Sequence, residues 1–578
     1  MTFTTRPVFM GRFGVVTAGH YLASAAGMRM FEKGGNAIDA GVAAGIAVNL
    51  LEPQSNGIGG EVPVLIYCAR QKRVYAINGQ GYAPRAATID WFKAQRIDII
   101  PGDGFLPATV PGAFSAWTNA LQQFGRLRLK DVLEPTIEMA EEGFPVYPGL
   151  RRSLAGLKEK FENEWPSSAR IYFPHGRVPE VGEFLVNKDW AETFKTTVDA
   201  EIRSSHLGRE AAIAAARDVF YKGPIAEKIV AFQRNTKVRD ASGRENAGLL
   251  TEADFHDYVT RVEAPVTLNY RGYDVHKCNT WCQGPVFLQQ LALLEGYDLA
   301  SLGNNSADFI HTVAEASKLA FADREQYYGD PEFVDVPLGR LLSKEYAARR
   351  RALIDQRSAS LELRPGDAPA RTLKHEEGDS HVYTGDTTHV DAIDREGNMM
   401  AATPSGGWIP SSPVVEGLGF PLGTRGQMFY LDSEHANALA PRKRPRTTLT
   451  PSLATKDGEP YMAFGTPGGD SQDQWTLQFF LNVVDFGMNL QEAIDAPTFH
   501  TNHFPNSFYP HNAKPGSLTL EARIPDAVQS DLAARGHKVT LGGEWSNGKV
   551  LAITFDPKSG LISAGASPRG QIAYAMGR

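Results

Sequence analysis

The sequence predicts an α+β fold in which layers of helix cover antiparallel sheet. Three observations carry that prediction: a largely helical first part, a polar stretch at Arg357–Asp386, and a run of strand pairs after it. Taking the elements in order, Ser24 to Lys33 reads as a helix that stops at Gly34-Gly35. Asn36 is placed to cap the Ala-rich helix that follows, which ends before Pro53. Gly57-Ile58-Gly59-Gly60 leads into two strands, Val62 to Ala69 and Val74 to Asn78, joined at Gln71-Lys72-Arg73. From Leu106 to Ala352 the pattern is mostly helical, clearest over Ala307 to Tyr328. The stretch 357–386 has little apolar periodicity and reads as an exposed connector. Beyond it, turns at Glu396-Gly397-Asn398, Asp457-Gly458-Glu459 and Asp556 to Gly560 each lie between short apolar segments, predicting three hairpins of one antiparallel sheet.

Composition narrows the function without naming it. The chain has 578 residues, with 59 basic against 66 acidic side chains and a net charge of −7, which excludes the concentrated basic face of a nucleic-acid binder. Three cysteines exclude a disulfide scaffold. Cys278 and Cys282, four apart, could share one helix face but lack a second pair at zinc spacing, so no metal is expected there; no other cofactor is expected for the threonine chemistry considered below. Ala37 to Leu51 is too short to span a bilayer, and the first residues lack the pattern of a secretory signal. The expectation is a cytoplasmic enzyme without a membrane partner.

Two segments carry chemistry. At Gly385-Asp386-Thr387-Thr388-His389-Val390 the connector runs directly into a strand. One reading is an ordinary Thr-rich strand start. The other is self-cleavage before Thr387, which would free a threonine carrying nucleophile and base together, since an α-amine of pKa near ~8 can take the hydroxyl proton. No G-x-S-x-G elbow supports a serine triad. The second segment, Gly465-Thr466-Pro467-Gly468-Gly469-Asp470, is either a plain turn or a loop whose N–H groups face a developing oxyanion.

These segments, with Gly34 to Ala40, Glu52 to Gly60, Ala83-Pro84, Val110-Pro111-Gly112, Tyr270 to Tyr273, Ala322 to Pro331 and Lys443-Arg444-Pro445, occur in one order along most of the chain. In that order they resemble the γ-glutamyltranspeptidase family of N-terminal-nucleophile hydrolases. The resemblance implies a four-layer αββα sandwich from one precursor, cut between Asp386 and Thr387 into a large subunit, 1–386, and a small subunit, 387–578. It implies Thr387 as nucleophile, Thr388 and Ser405 as neighbouring hydroxyls, Gly468 and Gly469 as oxyanion hole, and Thr447 and Thr448 lining the pocket. It also allows a dimer of such heterodimers.

The sequence departs from the family where a glutamyl group would be held. Gln80 stands where an arginine binds the α-carboxylate, and a neutral amide cannot form that charge-assisted pair. Gly407 replaces an asparagine, Tyr430 stands three residues after Gln427 where an acid is usual, and Asp391 replaces a hydroxyl residue. Trp408, Phe420, Phe429 and Tyr430 would make a more apolar pocket, with Arg425 as a replacement cation. The expected enzyme is thus an amidohydrolase for a small non-γ-glutamyl substrate. The alternatives are a γ-glutamyltransferase or glutathione hydrolase whose clamp is rebuilt from Arg425 and Asp432, and an inactive binding homologue.

Overall fold

The computed structural model describes residues 3–373, 387–570 and 572–578. Two seven-stranded sheets stack face to face. The first runs, edge to edge, Phe9–Gly11, Leu561–Ala566, Leu551–Asp556, Glu459–Gly465, Ser452–Lys456, Tyr273–Lys277, Val266–Tyr270. The second runs Tyr574–Gly577, Gly14–Ala18, Val390–Asp394, Met399–Ala402, Val64–Cys68, Arg73–Asn78, Arg261–Glu263. All neighbours within these two sheets pair antiparallel.

The two-residue period of a strand sorts the apolar side chains into layers. In the second sheet Val15, Leu65, Tyr67, Ile393, Met399 and Ala401 face the first sheet, where they meet Leu453, Ala463, Ile553 and Ile562. The alternate residues Val16, Val64, Ile66, Ala392 and Met400 face the helices Tyr21–Glu32, Ala37–Leu51 and Ala113–Phe124. The other face of the first sheet, through Val275, Ala454 and Phe464, packs on Pro285–Leu294, Ala307–Tyr327 and Gln472–Val484. The result is the αββα sandwich that the resemblance implied. Asn36 caps its helix through a full capping box with Asp39, as its position promised.

Three expectations change. The predicted hairpins form, but Val390–Asp394 with Met399–Ala402 joins the second sheet while the other two join the first. The helical middle also contains a hairpin, Val266–Tyr270 with Tyr273–Lys277, turning at Arg271 and Gly272, both with positive φ. Cys278 and Cys282 sit between that hairpin and the helix Pro285–Leu294, buried in the inter-sheet core, and share no helix face. The first part of the expected connector is held to the body: Glu362–Leu363 pairs with Arg371–Thr372, Leu363 is buried, and the Tyr327 hydroxyl donates to the Gly366 carbonyl at 2.5 Å. Asp386 and the rest of 374–386 lie outside the described residues.

Candidate active site

Thr387 precedes a central strand of the second sheet and bridges Ser405 across the hairpin. Its Oγ1 donates to Ser405 Oγ at 3.1 Å, and both residues are buried. Arg425 Nη2 donates to the same Ser405 oxygen at 2.8 Å, while Arg425 Nε donates to Glu61 Oε1 at 2.5 Å. Burial pushes the Glu61 carboxyl up and the Arg425 guanidinium down; each partner's charge opposes the other's shift. The guanidinium also lies 5.0 Å from the Trp408 ring centre and 5.6 Å from that of Phe508.

The neighbouring side chains form two further chains of hydrogen bonds. Thr388 Oγ1 donates to Glu52 Oε2 at 2.6 Å. This close approach needs glycine at position 19, because a Cβ there would lie 2.0 Å from the threonine oxygen. His389 bonds Asp391 Oδ1 through Nε2 at 2.8 Å and Thr403 Oγ1 through Nδ1 at 3.0 Å, and Thr17 Oγ1 donates to Asp391 at 3.0 Å. Burial pushes the Asp391 carboxyl up, opposed by the imidazole beside it. The acid that replaced a hydroxyl residue is therefore a buried partner of His389.

The loop after Glu459–Gly465 takes backbone angles that favour glycine, with φ of +126° at Gly468 and +53° at Gly469. A Cβ on Gly468 would meet the Trp475 ring at 2.1 Å. Asp470 anchors the loop by pairing with Arg324 and accepting from Ser507 N and Oγ at 2.8 and 2.7 Å. Thr387, Thr388 and His389 line a cavity of about 410 Å³; Gly468 and Gly469 line a second of about 890 Å³. The two share Gln54, Arg152, Ser153, Pro467 and Lys549.

The residues expected to bind substrate are placed unequally. Gln80 is buried, with Nε2 donating to the Gly81 carbonyl, and lines neither cavity. Thr447 and Thr448 are buried outside both cavities, and their hydroxyls have no partner among the described residues. Gln427 is spent on the Gly102 carbonyl and Tyr509 N. Gly407 (φ +57°) packs on Gly60, and Trp408 on Met428 and Phe508. Tyr430 stacks between His435 and His511 and donates to Glu325 at 3.2 Å. Arg425 is not an available cation, because Glu61 neutralises it, and Asp432 is an exposed turn residue accepting from Glu434 N. The clamp rebuilt from those two is not assembled. Glu61, which pairs with Arg425, and Arg152 and Lys549, which line both cavities, had no reading in the sequence. Glu61 alone left a signal, a carboxylate closing a Gly-rich loop just before an apolar strand.

Among the described residues one cluster has the donor set of a metal site, His311, Glu315 and His537. The two imidazoles bond each other at 2.9 Å, and Glu315 is engaged by Lys318 at 2.5 Å and Arg364 at 3.3 Å. It lies in neither cavity.

Stacked antiparallel sheets between layers of helix are the fold of the N-terminal-nucleophile hydrolases. Residues 23–577 match the family described as Gamma-glutamyltranspeptidase, and the chain belongs to it as an amide-bond hydrolase. It is 34% identical over 511 residues to the Glutathione hydrolase proenzyme of Pseudomonas sp. (strain A14), covering 86% of this chain and 82% of that one. The solved structure of LmbA2991HD shares 46% identity over the whole of both chains, at a TM-score of 0.94. The crystal structure of cephalosporin acylase from Bacillus halodurans shares 30% identity over 100% of this chain and 97% of that one, at a TM-score of 0.84. No helix among the described residues is long and apolar enough to cross a membrane.

Proposed function

We propose that the protein is a self-processing threonine amidohydrolase for a small amide, or related acyl compound, that is not a γ-glutamyl peptide. The observation that carries this is the hydrogen-bonded chain Glu61–Arg425–Ser405–Thr387, which holds a buried threonine hydroxyl at a cavity that shares Pro467 with the one lined by Gly468 and Gly469. In the precursor, Thr387 Oγ1 attacks the carbonyl of Asp386. The peptide bond becomes an ester, and water releases residues 1–386 and frees the Thr387 α-amine. That amine, with a pKa near ~8, then takes the hydroxyl proton as Thr387 attacks a substrate amide. The N–H groups of Gly468 and Gly469 hold the oxyanion, the leaving amine takes the proton, and water hydrolyses the Thr387 ester. Thr388, held by Glu52, lies beside the attacking group.

The non-glutamyl reading rests on charge. Gln80 is neutral and lines neither cavity, and Arg425 is paired with Glu61, so neither supplies a cation for an α-carboxylate. The cysteines, all free thiols, support a cytoplasmic setting. The processed form is a heterodimer of the two fragments, and light scattering reads whether two heterodimers pair.

A denaturing gel with N-terminal sequencing tests the mechanism. Active enzyme should give fragments of about 42 and about 21 kDa from the 63.1 kDa chain, the smaller starting at Thr387. Thr387→Ala should remain whole and inactive. Activity in an uncut chain would overturn the reading, and strong turnover of a chromogenic γ-glutamyl anilide would restore the glutamyl alternative.

A further inference from the structure

We propose that Phe508 limits the size of the acyl group: its ring stands between the Gly468–Gly469 loop and the side chains that the family resemblance gives to the acyl side, so that only short acyl groups are accepted. This rests on the Thr387 reading, with its Gly468–Gly469 oxyanion hole, for the chemistry, and adds a residue that had no reading in the sequence.

The first support is where the ring sits. Phe508 packs in one apolar cluster with Trp408 and Met428, and of these three it alone lines the cavity of Gly468 and Gly469. A Cβ on Gly469 would come 3.1 Å from Phe508 Cε2, so the ring edge packs on that glycine. The ring centre also lies 6.4 Å from that of Trp408 and 5.6 Å from the Arg425 guanidinium carbon. Arg425 in turn donates to Ser405 Oγ, the acceptor of the Thr387 hydroxyl. Trp408, Gln427 and Tyr430, which the resemblance gives to the acyl side, line neither cavity. A substrate whose carbonyl oxygen is held at Gly468 and Gly469 meets Phe508 before it can reach Trp408.

The second support is how firmly the ring is held. Ser507 N and Oγ donate to Asp470 at 2.8 and 2.7 Å, and Asp470 pairs with the buried Arg324. Arg324 Nη2 also donates to the Pro505 carbonyl at 3.0 Å. Phe508 N donates to Asn506 Oδ1 at 2.8 Å, His511 N to the Phe508 carbonyl at 2.8 Å, and Tyr509 N to Gln427 Oε1 at 3.2 Å. Because Asp470 directly follows Gly469, the same ion pair fixes both the oxyanion loop and the wall beside it. A ring anchored in this way cannot yield to added methylenes without strain, and one methylene against a fixed wall changes kcat/KM by about 10–200-fold. What lies behind the ring is apolar, or, in Arg425, already paired with Glu61. Space opened by truncating Phe508 would therefore take a hydrocarbon chain.

Acetyl, butyryl and hexanoyl p-nitroanilides read the wall in the cut enzyme. In wild type kcat/KM should fall at least about tenfold from acetyl to hexanoyl. Phe508→Ala should raise the hexanoyl-to-acetyl ratio at least about tenfold, Phe508→Leu should raise it less, and Phe508→Trp should lower it. Equal use of all three anilides by cut wild type, turnover of none, or a ratio unmoved in every variant that cuts itself would overturn the proposal, while the cut at Thr387 would keep the threonine reading. Failure of all three variants to cut would also overturn it, by assigning the ring to packing alone. Conversely, turnover by an uncut Thr387→Ala chain that keeps the wild-type ratio would retain the wall and overturn the threonine reading.

Discussion

Ser405 Oγ lies between two donors, Thr387 Oγ1 and Arg425 Nη2, and the guanidinium owes its position to Glu61. Both charged partners are buried, so their mutual attraction offsets the cost of taking two ions from water, and loss of one leaves the other uncompensated. Glu61→Gln should therefore destabilise the protein by about 3–5 kcal/mol and slow self-cleavage. Joining it to Arg425→Met should recover much of the stability without restoring cleavage. Urea unfolding and the cut fraction on a gel measure the two effects, and additive losses in the double variant would show that the pair is not coupled. The family resemblance, not the local pattern, singled out Thr387, Gly468 and Gly469, because a hydroxyl at a strand start and two adjacent glycines are ordinary by themselves. The sequence hid the function of Arg425, whose partner lies 364 residues away. An isolated arginine looks the same in sequence whether it faces substrate or a buried glutamate.

At the scale of elements, legibility followed turn chemistry. The turns at Gly397, Gly458 and Gly560 lie between apolar runs and were read directly, whereas Arg271-Gly272 joins strands whose polar residues mask the alternation. Sheet membership was not readable, because one hairpin pattern serves either sheet of a sandwich buried on both faces. The helix Ala307–Tyr327 shows what such distant packing adds. His311 Nε2 donates to the Asp355 carbonyl at 2.8 Å, and a single proton lies between its Nδ1 and His537 Nε2, 2.9 Å apart. Burial, then Lys318, His311, Arg535 and His503, push His537 from 6.5 down to about 2. The unfolded chain takes up a proton below pH 6.5 that the folded chain refuses, so this contribution to stability is present above 6.5 and is lost on acidification. Between pH 7.5 and 5.5 wild type should lose about 1.4 kcal/mol relative to His537→Gln, by urea unfolding at both pH values. A stability difference independent of pH would mean that His537 titrates normally.

Over the whole molecule, the division proposed at Thr387 does not coincide with any boundary in the fold. The first sheet takes Phe9–Gly11, Val266–Tyr270 and Tyr273–Lys277 from residues before the cut and its other four strands from residues after it. The second takes Gly14–Ala18, Val64–Cys68, Arg73–Asn78 and Arg261–Glu263 from before, with Val390–Asp394, Met399–Ala402 and Tyr574–Gly577 after. Separating the fragments would break backbone ladders at Tyr273–Lys277 against Ser452–Lys456, Gly14–Ala18 against Val390–Asp394, and Val64–Cys68 against Met399–Ala402. It would also open the core between the sheets, where Leu65 and Tyr67 meet Leu453 and Ala463. Exposing those apolar faces costs about 25 cal/mol for every Å² returned to water, and unpaired strand interiors add unsatisfied backbone groups. The cut enzyme should accordingly elute from native size-exclusion chromatography as one species containing both fragments, and the fragments should part only in denaturant, together with loss of activity. Elution of two folded fragments from active enzyme would contradict the interleaved sheets. Coelution would make association a property of the fold, so that cleavage exposes the Thr387 amine while leaving the sheets, the Glu61–Arg425 pair and the cavity walls joined.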